Sequence, residues 1–139
     1  MRLFNKYNSL WIVILFGIGY AILGIWFPNP SNPSQTQQMW RLAAWVVGAI
    51  IFGIQIWYEH FRFHNKPLLV ALHAAVSAAL GAFGIAVAAN IHSLYSASSK
   101  HLLLVLSLIL WPIFVGVPAF VVAVIIALIL ERIKPIDKL

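Results

Sequence analysis

A chain of 139 residues that is 63% hydrophobic and only 9% charged, with a mean hydropathy of +0.94, excludes a water-soluble globular domain, in which about a quarter of residues carry charge. Cysteine is absent, which removes a disulfide framework, a thiolate metal site and a thiol nucleophile. The net charge of +6 is the excess that anionic lipid headgroups attract, so it implies no nucleic-acid partner.

Four apolar blocks, 9–27, 40–58, 67–95 and 102–130, contain Arg41 and no other Asp, Glu, Lys or Arg. A helix rising about 1.5 Å per residue needs about 20 residues to cross a hydrocarbon core about 30 Å thick. The first two blocks fit that length, and the longer third and fourth must tilt, kink or continue beyond the hydrocarbon. Runs such as Leu102-Leu103-Leu104-Val105-Leu106 lack the alternation of a membrane β-strand. The fold class expected is all-α: a polytopic membrane protein with four transmembrane helices in one antiparallel bundle, and a single domain over residues 1–139. Arg2 and Lys6 precede the first block as they would in a secretory signal. The run is too long for a signal and is followed by Pro28, Pro30 and Pro33 rather than a small-residue cleavage site, so it reads as a retained span.

The loop after that span, with its spaced prolines and Gln35, Gln37 and Gln38, reads as a short extended strut. The connections Glu59 to Lys66 and Ser96 to His101 are short enough to make successive spans antiparallel neighbours. Arg2, Lys6, Arg62, Lys66, Arg132, Lys134 and Lys138 fall on one side, and only Arg41 and Lys100 on the other. The positive-inside rule then places both termini in the cytoplasm, and the compactness of the chain suggests a membrane of bacterial inner type or an equivalent energy-transducing membrane. Trp11, Trp26, Trp40, Trp57, Tyr58 and Tyr95 lie near the span ends, where an aromatic belt belongs.

Small residues allow close helix contact in lipid, and the third span is crowded with them. Ala74, Ala78, Ala82 and Ala86 repeat at four, with Ala75, Ala79, Gly81, Gly84, Ala88 and Ala89 on other faces. Gly17, Ala21 and Gly24 make a small face on span one, Ala44 and Gly48 on span two, and Gly116, Ala119, Ala123 and Ala127 on span four. Four spans do not readily use all of these faces internally, which points to association with another copy or with other membrane subunits. Span four also carries Pro112 and, around Gly116, Pro118. Two prolines six residues apart should bend or locally unwind the helix, and such a break can expose carbonyls to an ion or a substrate.

The histidines are the candidates for chemistry. His60 and His64 share a face at i, i+4 if helix continues past Tyr58, a spacing that suits a borderline metal, although the segment lacks the internal Glu of a metalloprotease helix. His73 lies inside span three, with Ser77 one turn along the same face. A polar residue at that depth is a functional candidate by default. One use is axial ligation of a haem or chlorophyll-type pigment, with His60 or His64 as the second imidazole if span two extends far enough. Gln55 and Asn90 would bond to neighbouring helices, and Arg41 would snorkel to the headgroups.

With span two ending at Tyr58, no Asp or Glu lies inside a span, which counts against a proton- or Na⁺-coupled carrier and against acid/base catalysis in the membrane. No nucleophile, base and orienting group form a plausible triad, and no glycine-rich phosphate loop occurs. The reading reached is a non-catalytic accessory or interaction subunit of a membrane complex or homo-oligomer. Its alternatives are a haem- or pigment-binding protein using His73 with His60 or His64, and a small pore or carrier built around the Pro112 to Pro118 break.

Overall fold

A computed structural model describes residues 2–26, 35–95 and 101–133. They form four helices, α1 (Arg2–Trp26), α2 (Gln35–Phe63), α3 (Pro67–Tyr95) and α4 (His101–Ile133). The proline strut, the loop 96–100, Lys134 and Lys138 lie outside the described residues, as do the side chains of Arg2, Lys6, Arg41, Tyr95 and His101. Three stretches, Leu42–Phe63, Pro67–Leu94 and Leu102–Ile133, are long and apolar enough to cross a membrane, which marks an integral membrane protein; the apolar part of α1, Leu10–Trp26, is shorter.

The turn between α2 and α3 shows why these helices end where they do. His64 adopts φ 53°, the left-handed conformation that commonly terminates a helix, directly after Phe63. Pro67, whose fixed φ suits a first helical position, opens α3, and the Lys66 carbonyl accepts from Leu69 N at 2.9 Å and Val70 N at 3.1 Å.

Helix α3 is the centre of the bundle and packs most extensively on α4 and α1. Glycines on both helices let α3 and α1 approach closely. A Cβ on Gly17 would lie 2.9 Å from Leu80 Cβ and 3.3 Å from the Ser77 carbonyl; one on Gly84 would lie 2.7 Å from Ala21 Cβ, and one on Gly81 would overlap Tyr20. Gly17, Ala21 and Gly24 thus meet successive turns of α3 in the same order, and the two helices run side by side in one direction. Against α4 the order reverses. Asn90 meets Leu104, a Cβ on Gly116 would lie 3.2 Å from Ala79 Cβ, and Ala71 and Ala74 share a core with Ala123 and Ala127.

Ala74, Ala82 and Ala86 are buried and Ala78 is half-buried. The small faces of α1, α3 and α4 are therefore largely consumed inside the bundle, contrary to the surplus read from sequence. The exception is α2. Between Leu42 and Ile54 none of its described side chains is buried, and a Cβ added at Gly48 or Gly53 would meet nothing within 4 Å. Among its described side chains the buried ones are Gln55, Ile56, Glu59 and His60, in the last turns.

Two further expectations change. Helix α2 does not stop at Tyr58 but continues to Phe63, so Glu59 belongs to a spanning helix and not to a loop. Helix α4 is uninterrupted from His101 to Ile133 with Pro112 and Pro118 inside it, so the expected local unwinding does not occur. Each proline withholds one amide from the carbonyl four residues earlier, Leu108 and Phe114, while flanking hydrogen bonds carry the helix through.

Candidate functional site

The buried face at the end of α2 is polar where it meets α3. Glu59 is fully buried, and its Oε2 lies 2.6 Å from Nδ1 of His73, which is 14% exposed. Gln55, one turn before Glu59, donates both amide hydrogens: to Ser77 Oγ at 2.8 Å and to Glu59 Oε1 at 3.3 Å. Ser77 Oγ in turn lies within donating distance of the His73 carbonyl, 2.9 Å, and of the Val13 carbonyl of α1, 3.1 Å. Tyr20 of α1 approaches Gln55 Oε1 with its hydroxyl at a long 3.5 Å. Three helices thus converge on one hydrogen-bonded cluster in otherwise apolar surroundings.

The sequence arranges this simply. Gln55 and Glu59 are i, i+4 on α2, and His73 and Ser77 are i, i+4 on α3. With the helices antiparallel, Glu59 faces His73 and Gln55 faces Ser77. The contact at 2.6 Å requires a proton between nitrogen and oxygen. If His73 is neutral and donates from Nδ1, the pair carries one negative charge; one proton more makes it neutral overall. A low-dielectric setting makes that change of charge a large electrostatic event.

Of the candidates read from sequence, His73 and Ser77 take part in the cluster and Gln55 bonds across to α3. Asn90 also bonds to its neighbour, donating to the Leu104 carbonyl of α4 at 2.7 Å and the Ala86 carbonyl at 2.8 Å. His60 and His64 do not share a helical face, because the chain leaves the helix at His64, which is exposed, whereas His60 is 1% exposed. The described residues include no group of three His, Cys, Asp or Glu placed to hold a metal ion. Glu59 engages Nδ1 of His73, so axial ligation of a macrocycle would fall to Nε2, and Ala74 and Ser77 on the same helix are fully buried against protein. A surface groove of about 180 Å³ lies instead on another side of α2, lined by Trp57, Tyr58, Phe61 and Arg62.

The residue the sequence reading missed is Glu59. The signal was the pair of i, i+4 polar couples on successive spans, which match only if α2 is extended by one turn. Compared with known proteins, the chain matches no family model, no curated protein and no solved structure.

Proposed function

We propose that this is a proton-responsive integral membrane protein, a small non-enzymatic carrier subunit in which the Glu59 and His73 pair binds and releases the coupling proton. The observation that carries this reading is the fully buried carboxylate of Glu59 on an imidazole in a spanning helix. A carboxylate at such a place is costly to maintain and typically marks a proton or ion pathway. The charge asymmetry of the flanks supports four spans in an antiparallel bundle with both termini cytoplasmic, and puts the pair in the cytoplasmic half. The close glycine contacts between α1 and α3 favour a passage between subunits over one inside the chain, so the unit works as a homo-oligomer or within a larger membrane complex.

The test is pH recorded inside proteoliposomes by a trapped dye after an imposed proton gradient, in sodium, potassium and choline salts. Wild-type protein should dissipate the gradient faster than empty vesicles in at least one salt, and Glu59→Gln should abolish the difference. Wild-type vesicles indistinguishable from empty ones in all three would overturn the carrier reading. The second reading is an accessory subunit without transport of its own. It is favoured by the open small-residue stretch of α2 around Gly48 and Gly53, and predicts a stoichiometric membrane partner on gentle purification.

A further inference from the structure

Next to Glu59 on the same buried end of α2 stands His60, 1% exposed, with neither ring nitrogen hydrogen-bonded among the described residues. Five residues on, at the turn into α3, the amide nitrogen of Asn65 is also buried without a partner. A neutral imidazole carries one donor and one acceptor, and leaving such groups buried and unmatched costs on the order of 1–3 kcal/mol each. Elsewhere the chain avoids this: Gln55 and Asn90 each spend both amide hydrogens. Three unmatched polar nitrogens at one end of the bundle therefore need a reason, and the ligand that suits a donor and an acceptor together is water.

We infer that His60 and Asn65 form a water-binding site at the α2–α3 turn, through which His60 passes protons between the aqueous face of that turn and Glu59. Imidazole suits the task because it can accept a proton at one nitrogen and release one from the other. The site begins where α2 emerges, since Arg62, His64 and Lys66 just beyond it are exposed. Two ionisable groups of the neighbouring helices are tied to Glu59: His73 of α3 holds it and Tyr20 of α1 reaches it through Gln55, whereas α4 presents the apolar Ala123 and Ala127 to the adjoining core and carries Glu131 and Arg132 in its last turn. The Phe61 and His60 rings are nearly perpendicular, with centroids 4.9 Å apart. This inference rests on Glu59 exchanging a proton, as proposed above.

The experiment is a pH jump on protein in lipid, followed by time-resolved infrared absorption of the Glu59 carboxyl group, in wild type, His60→Phe and His60→Gln. A positioned proton-transfer group contributes about 10²–10⁴-fold to such a step. His60→Phe should slow protonation of Glu59 at least about 10-fold while leaving the final extent unchanged, and added imidazole should restore part of the rate. His60→Gln keeps hydrogen bonding and should fold like wild type but remain slow, because an amide does not relay a proton at these pH values. A wild-type carboxyl that never changes protonation sinks the reading of Glu59 itself. A wild-type carboxyl that responds at the same rate in both variants overturns the role of His60 alone; a merely structural histidine would give this result together with a more stable His60→Phe.

Discussion

Glu59 Oε2 and His73 Nδ1 are 2.6 Å apart and join the end of α2 to the first turns of α3, and this contact is the main polar tie on a helix otherwise loosely attached. Glu59 is also held by Gln55, so the carboxylate is fixed from its own helix and from the next. Breaking a buried charged pair by removing one partner is more disruptive than removing both.

Glu59→Ala should therefore lower stability in detergent by about 3 kcal/mol, because it removes the buried carboxylate that His73 Nδ1 and one Gln55 hydrogen bond to. Glu59→Ala combined with His73→Leu should recover a substantial part of that loss. Ser77→Ala, which removes neutral hydrogen bonds alone, should cost about 1 kcal/mol. Denaturation of the reconstituted protein with an ionic detergent measures all three, together with His73→Leu alone to close the cycle; a double variant as unstable as the sum of its two single variants would show that the two residues act independently.

The glycine contacts give a second expectation. Gly81→Val or Gly17→Val should destabilise by about 1–3 kcal/mol, since the first added carbon already collides with α1 or α3. Gly48→Ala and Gly53→Ala should be neutral or slightly stabilising in the monomer, where nothing lies within 4 Å. If Gly48→Leu lowers the mass measured by light scattering, the α2 face is the contact between subunits.

The two prolines of α4 are expected to be replaceable. Because α4 is continuous through them, Pro112→Ala and Pro118→Ala restore amides that the helix can use at once. Each should leave stability within about 1 kcal/mol of wild type and leave proton flux in liposomes unchanged. Loss of flux in either variant would return the pathway to α4.

Orientation can be settled in a chain that has no native cysteine. In sealed vesicles of known sidedness, Lys138→Cys should react with an impermeant maleimide only from the cytoplasmic side, and Ser98→Cys only from the other. The reverse pattern would place the Glu59 end of the bundle outside and invert the direction of proton access.

The helices were legible from sequence because length and apolarity alone dictate them, and Gln55 and Asn90 were legible because a buried amide must find a partner. Glu59 was not. Hydropathy marks where charge begins and places a boundary there, whereas backbone hydrogen bonding continues to Phe63 and the charge is matched by an imidazole fourteen residues away. Proline was over-read for a related reason: a residue that weakens a helix in water is tolerated where neighbouring turns and packing hold it. The small residues of α3 announced close packing, but the choice of partner was invisible until Gly17, Ala21 and Gly24 were found against it.

The chain has only three acidic residues, Glu59, Glu131 and Asp137, so a carboxyl signal can be assigned by few substitutions. The most direct measurement is the infrared difference spectrum of the reconstituted protein between alkaline and acidic buffer, in wild type and Glu59→Gln. The account predicts a protonated-carboxyl band from a water-excluded site that appears reversibly on acidification and is missing in Glu59→Gln but present in Glu131→Gln. A spectrum in which Glu59→Gln removes nothing across the range where the protein stays folded would contradict it and leave the Glu59 and His73 contact as a structural tie.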